Sequence, residues 1–356
     1  MRNLFILKFL NNKIGWIYVG SGILFAAAII LGLFISSVPV AVEKIIHIIF
    51  EKTLHITWME VPKNEEMIIW NIRLPRVILA FCVGASLSLA GAAFQGLLRN
   101  PLADPYTIGV SSGASLGAVL VIFFQVTIIG LGNFTLPIVA IVSGFITLLI
   151  VFGLVRLSSR SLAIETIVLA GIIVSSFISA IVSLIISLGD RDAMTQILYW
   201  LYGSVGMRGW EYIQLIIPFM ILGTFILLIH SRELNAFALG EEAADHIGVN
   251  VKRGKTMILI GASLLTGASV AVSGSIGFVG LVIPHLVRLL VGPNHRHVLP
   301  LSFIIGGTFL MFADLLARIV IAPRELPIGV ITAIIGAPVF AFLLIREKIG
   351  RGKNRC

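Results

Sequence analysis

Three arginines, Arg73, Arg76 and Arg318, are the residues best suited to chemistry at a surface. A guanidinium presents a planar fork of donors matched to carboxylates, so it recognises acidic partners rather than transforming them. Arg73 and Arg76 stand three apart around Pro75, on one face of a helix. Arg318 follows Asp314 by one helical turn, so an internal pair is its simpler reading. Snorkelling toward headgroups is the simpler reading of the other two. Patterns that would support catalysis fail on spacing. Gly248 to Thr256 looks like a phosphate loop, but one residue too many separates Gly248 from Gly254, and a membrane span follows. The run Gly274, Gly277, Gly280 lacks the spacing and the preceding strand of a dinucleotide fingerprint. The seven histidines form no spaced metal set, and His295-Arg296-His297 reads as a solvated loop. Cys82 and Cys356 suggest neither a disulfide framework nor a metal cluster. No clustered catalytic set remains, so the chain reads as a non-enzyme that recognises and moves.

The elements that must position these residues are membrane helices. Hydrophobic residues make up 58% of the chain and charged ones 12%, against roughly 25% charged in soluble domains. Apolar runs predict helices near 16–36, 73–97, 110–126, 135–157, 162–187, 210–230, 256–275, 277–291, 298–321 and 326–346. That gives an all-α integral membrane protein of about ten spans, with residues 1–356 as a single polytopic domain. The basic start reads as a retained first helix rather than a cleavable signal. Most of the 26 Lys and Arg residues punctuate one side of these spans, which places both termini in the cytoplasm. The same distribution explains the +9 charge without nucleic acid.

Three segments between or within spans stand out. Residues 41–70 are too charged to cross. Their isoleucine cluster, Ile45, Ile46, Ile48 and Ile49, fits either a helix lying at the outer interface or a plain external loop. The span ending at Leu97 runs straight into the polar, proline-bracketed turn Asn100-Pro101-Leu102-Ala103-Asp104-Pro105. Irregular polar backbone at a membrane must be buried in protein or line a watery cavity, so this turn points to a translocation pathway. In the connection 231–255, a short helix between Gly240 and Gly248 carries Ala243, Ala244 and Ile247 on one side and Glu241, Glu242 and Asp245 near its start. A small apolar face of this kind suits a groove in a soluble partner. There is also an internal echo: Gly84-Ala85-Ser86 with Gly91 recurs as Gly267-Ala268-Ser269 with Gly274. On the orientation above the copies run in opposite directions, as in an inverted repeat.

Several blocks resemble, in order, the permease subunits of binding-protein-dependent ABC importers for iron–siderophores, haem and cobalamin. They are IRLPR at 72–76, NPLADP at 100–105, GVSSGAS at 109–115, LGEEAADHIGV at 239–249, GSIGFVGLVIPHLVRLL at 274–290, ADLLAR at 313–318 and ELPIGVITAIIGAPVF at 325–340. The resemblance implies ten transmembrane helices in a bacterial cell membrane, working as a dimer of permeases, homodimer or heterodimer. It implies separate ABC ATPase subunits that hold ATP and Mg, with no cofactor in this chain. It also implies an extracytoplasmic substrate-binding protein whose acidic residues meet Arg73, Arg76 and Arg318. ATPase contact then falls on Gly240, Glu241, Glu242, Ala243, Ala244, Ile247, Gly248 and Val249. The cytoplasmic gate falls on Asn100, Pro101 and Leu102. Near Ile164 and Glu165 the family can carry small hydroxyl residues, and this chain departs. The implied cargo is a ferric siderophore, with cobalamin or haem as alternatives. A secondary transporter fits less well, since convincing midplane coupling carboxylates are missing.

Overall fold

The computed structural model describes residues 2–36, 38–158 and 163–353. No strand occurs among them. The helices are α1 (Arg2–Phe34), α2 (Val42–Leu54), α3 (Lys63–Leu97), α4 (Val110–Phe123), α5 (Thr135–Ser158), α6 (Ile164–Leu188) and α7 (Arg191–Leu201). There follow α8 (Trp210–Ile229), α9 (Ser231–Phe237), α10 (Glu241–His246), α11 (Val251–Ser273), α12 (Val279–Val291), α13 (His295–Ile319) and α14 (Ile328–Lys353). Each of the ten expected spans is a helix. Seven segments are long and apolar enough to cross a membrane; α4, α12 and the apolar part of α14 are shorter. Inner and outer below follow the orientation set by the basic residues.

The bundle is built around α3. Its most apolar stretch is 89% buried, against 22% for that of α8, so α3 is an axis and α8 a lipid-facing rim. Residue size explains this. Gly84, Ser86, Ser88, Gly91, Ala92 and Ala93 are all buried where α3 packs on α8, α11, α12 and α13. Hydrophobicity cannot drive helices together in lipid, so small residues that admit close backbone contact decide which helix is central. The tightest contact is Gly91 on α12: a Cβ there would stand 1.9 Å from the Gly280 carbonyl oxygen.

Residues 42–54 and 63–70 are helical, joined by a non-helical link at 55–62. Ile45 and Ile48 of α2 are fully buried, and Ile46 and Phe50 stay exposed. The flanking charges have partners on the next helix, Lys44 with Glu65 at 2.7 Å and Lys52 with Glu66 at 2.5 Å. Residues 63–70 belong to α3, which therefore begins ten residues before the expected start of its span at 73. Its helix widens into a π turn over Ile68–Arg73, where the Leu74 amide bonds the Ile69 carbonyl. Pro75 follows without an N–H and with a ring that crowds the preceding turn, which the wider turn accommodates.

Two helices are half-length. At about 1.5 Å per residue, α4 and α12 reach only about 20 Å of a roughly 30 Å hydrocarbon core. The irregular segments before them complete the crossing and meet inside the bundle. The Tyr106 hydroxyl donates to the Ile276 carbonyl at 2.7 Å and accepts from the Ile276 amide at 3.2 Å. Gln95 donates to the Gly280 and Leu281 carbonyls, at 3.3 and 3.0 Å. Thus α3 with α4, and α11 with α12, share one plan: a long small-residue helix, an irregular link and a half-helix. The echoed glycines nonetheless differ locally. Gly91 is a mid-helix contact, whereas Gly274 ends α11 with a φ of +73°.

Gly91→Val should force the α3–α12 crossing apart at a destabilisation of about 3 kcal/mol or more. Thermal unfolding in detergent would show it as a lowered Tm. An unchanged Tm would mean the crossing is not a fixed contact.

Candidate functional site

At the outer end the three arginines are buried, with exposures of 3% for Arg73, 6% for Arg76 and 6% for Arg318. Arg76 Nε donates to both oxygens of Asp314, at 2.9 and 3.1 Å, and its Nη1 donates to Glu325 at 2.8 Å. Arg318 Nε lies 3.2 Å from Asp314, the one-turn pair that was its simpler reading. Its Nη1 donates to the Gly32 carbonyl at 3.2 Å. Arg73 donates to the carbonyls of Leu33, at 3.2 Å, and Val38. Gly32 and Leu33 close α1, where carbonyls lack helical partners and the helix dipole favours a cation. All three of the expected docking arginines are thus engaged with groups of this chain. Buried charge must be paired, and these side chains tie α1, α3 and α13 together. Only the pair to Glu325, whose side chain is 49% exposed, reaches the surface.

At the inner end α3 delivers the polar turn. Asn100 Oδ1 accepts the Leu102 amide at 2.9 Å and so holds Pro101 in a closed turn. Asp104 accepts the Tyr106 amide at 2.9 Å and caps the following 3₁₀ turn. Asn100 and Leu102 line a cavity of about 450 Å³ with Thr107, Ile164, Glu165 and Leu169. The structure thus brings the expected gate turn together with the position where the chain departs from the resembled family.

The connection to α11 stands beside this turn. Gly240, at φ +112°, starts α10, and Gly248, at φ +86°, follows it. Glu241 pairs with Lys255 of α11 at 2.5 Å. Ala244 is fully buried and Ala243 half-buried, so the expected apolar face of Ala243, Ala244 and Ile247 is corrected. Ile247 and Leu239 point outward instead, 64% and 72% exposed. Leu239 was missed because it precedes the helix and follows no helical period. Glu242, Asp245 and Gly248 are exposed and Val249 is half-buried.

His295 connects the two features. It is 3% exposed in the first turn of α13, not solvated as its charged neighbours suggested. Its amide and ring Nδ1 bond Asn235 of α9, at 2.8 and 3.0 Å. The other face of the ring lies on Gly96, where a Cβ would stand 2.3 Å from Nε2. The segment feeding α10 therefore rests, through one imidazole, on the last turn of α3 before Asn100.

Residues 24–346 match the FecCD transport family. The chain belongs to that family. Among FecCD relatives, it is 49% identical over 340 residues, 96% of each chain, to an uncharacterized ABC transporter permease protein, YvrB, of Bacillus subtilis strain 168. It is 40% identical over 285 residues, 80% of this chain and 75% of the other, to the cobalamin import system permease protein BtuC of Halobacterium salinarum. A solved structure described as an inward-facing conformation of an ABC transporter assigned to the metal-chelate type superposes with a TM-score of 0.81. That match has 34% identity and covers 93% of this chain and 99% of the other. The protein is thus a multi-pass ABC permease of the FecCD family.

Asp314→Ala leaves Arg76 and Arg318 buried without their shared carboxylate and should destabilise by about 3–5 kcal/mol. Glu325→Gln removes a partly solvated pair and should cost less than about 1 kcal/mol. Equal Tm losses in detergent would contradict a staple centred on Asp314. Gly96→Val should displace His295 and lower uptake at least tenfold with normal membrane levels, a steric effect that Gly96→Ala reproduces in part.

Proposed function

We propose that this FecCD permease is the membrane subunit of an ATP-driven, binding-protein-dependent importer in a bacterial plasma membrane. Its cargo on this reading is a metal chelate, with a ferric siderophore first. The observation that carries the reading is the inner junction. Exposed Leu239 and Ile247 flank a short helix braced by Lys255, and that segment is joined through Asn235 and His295 to the turn holding Asn100. An ATPase gripping Gly240–Val249 has a direct mechanical route to the gate.

In this mechanism a partner ATPase binds ATP and Mg, and this chain does no covalent chemistry. ATP shifts the permease only because the partner grips one conformation better than the other. The cavity beside Asn100, Leu102, Ile164 and Glu165 then opens or closes toward the cytoplasm. A second permease, identical or related, completes the pathway. A substrate-binding protein docks at the outer end. Arg73, Arg76 and Arg318, all buried there, supply a positive field that its acidic residues meet on this reading.

Cobalamin is the alternative cargo, because a relative at 40% identity is named for importing it. The decisive experiment is uptake by cells with and without this gene, offered labelled iron in several siderophores, haem and labelled cobalamin. Loss of one ferric siderophore supports the first cargo, and loss of cobalamin alone replaces it. Leu239→Asp with Ile247→Asp places charge on an apolar contact and should lower uptake about tenfold or more. ATPase should then fail to co-purify while the chain stays in the membrane. Normal uptake by this variant would remove the coupling role from the exposed face.

A further inference from the structure

The outer end holds a second cavity, of about 830 Å³, larger than the one at the gate turn. Its walls are α7, the linker after α7, and the segment between α13 and α14. They are pinned to one another by backbone bonds. The Ile328 amide donates to the Gly203 carbonyl at 3.1 Å, and the Leu326 amide to the Ala317 carbonyl at 3.0 Å. The cavity is therefore a fixed concavity of the size that takes a small ligand. One helical hairpin links it to the gate, since α6 runs outward from Ile164 and Glu165 and α7 follows directly.

The lining chemistry is uneven. Tyr199 and Tyr202 present their rings at 62% and 50% exposure, three residues apart on one face. Arg324 is exposed, and its guanidinium has no hydrogen-bond or ion-pair partner among the described residues. The carboxylate beside it, Glu325, is already neutralised by Arg76 at 2.8 Å. The cavity thus offers one uncommitted positive charge in the same lining as two exposed tyrosines. Such a charge favours an anion and disfavours a cation, and its planar fork suits carboxylate or catecholate oxygens. Tyrosine rings provide flat contact area and a hydroxyl each.

We propose that this cavity is the outer seat for cargo, and that it selects an anionic chelate bearing planar or aromatic groups. Arg324 is the counter-charge and Tyr199 with Tyr202 are the stacking surfaces. The inference rests on the import reading above and narrows it: cationic and neutral chelates are disfavoured.

The test is uptake by cells expressing the whole transporter, ATPase and binding protein included, in a host lacking its own systems. The probes are ferric citrate, a ferric tricatecholate and haemin as anions, ferrioxamine B as a cation and cyanocobalamin as a neutral chelate. The wild type should carry an anionic probe. Arg324→Gln should raise its half-saturating concentration about tenfold, the effect of one charge-assisted contact, and Arg324→Lys should restore part of it. For an aromatic probe, Tyr199→Ala with Tyr202→Ala should act likewise and the paired Phe substitutions should not. Membrane levels and ATPase co-purification serve as controls that all variants should pass. An unchanged half-saturating concentration in Arg324→Gln overturns the seat, as does a wild type that carries only ferrioxamine B or cyanocobalamin. Both leave the importer reading standing. A wild type that carries none of the five, with its partners assembled, brings down the importer reading and this inference with it.

Discussion

The contact between Gly91 and Gly280 is the constraint on which the rest of the structure depends. Lipid gives helices no hydrophobic reason to associate, so the helix whose backbone admits others most closely becomes the axis. That helix is α3, and it is buried along nearly its whole apolar length. Because it is the axis, both of its ends meet the segments that close the bundle. Arg73 and Arg76 stand at one, and Gly96 and the turn after Leu97 at the other. The half-length α12 crosses it at Gly280 and carries the Ile276 link into reach of Tyr106.

Charge is handled differently at the two ends, and the difference follows from depth. At the outer end the guanidiniums are enclosed, so each is matched by a carboxylate or by the terminal carbonyls of α1. At the inner end Glu242 and Asp245 of α10 are exposed, and the pair of Glu241 with the buried Lys255 holds the short helix in place. One end is enclosed and fastened, and the other stays open to solvent.

Seven of the spans were legible because each is a long apolar run, and the three shorter ones because their apolar runs are bounded by polar residues and glycine or proline. The polar turn at 100–105 was legible from proline and polar residues next to a span, and the short helix from the glycines that bracket it. What sequence could not supply was pairing across distance. Arg76 meets a carboxylate 238 residues away, and a positive residue with an unseen partner looks the same as one waiting for a docking protein. α7 escaped for another reason. Its N-cap, Asp190, accepts from the Ala193 amide at 2.7 Å, but its eleven residues are too mixed in polarity to read as a span and too few to show a firm period. Ala244 was placed on the wrong face because a helix of six residues has hardly two turns, and packing on α11 decides its rotation. His295 misled through its neighbours: Arg296 and Asn294 face out, while the imidazole turns in to Asn235.

The outer staple also has a bearing on how the chain is made. Arg73 and Arg76 enter the bilayer with α3, whereas Asp314 arrives with α13, after most of the protein has been synthesised. Until then Arg73 has the carbonyl of Leu33 to bond, whereas Arg76 has neither of its carboxylates. Insertion and assembly are therefore separate events in this chain. The spans can all be in place before the bundle locks, and the lock closes from the carboxyl-terminal side. A chain that stops short of α13 lacks both carboxylates that Arg76 pairs with.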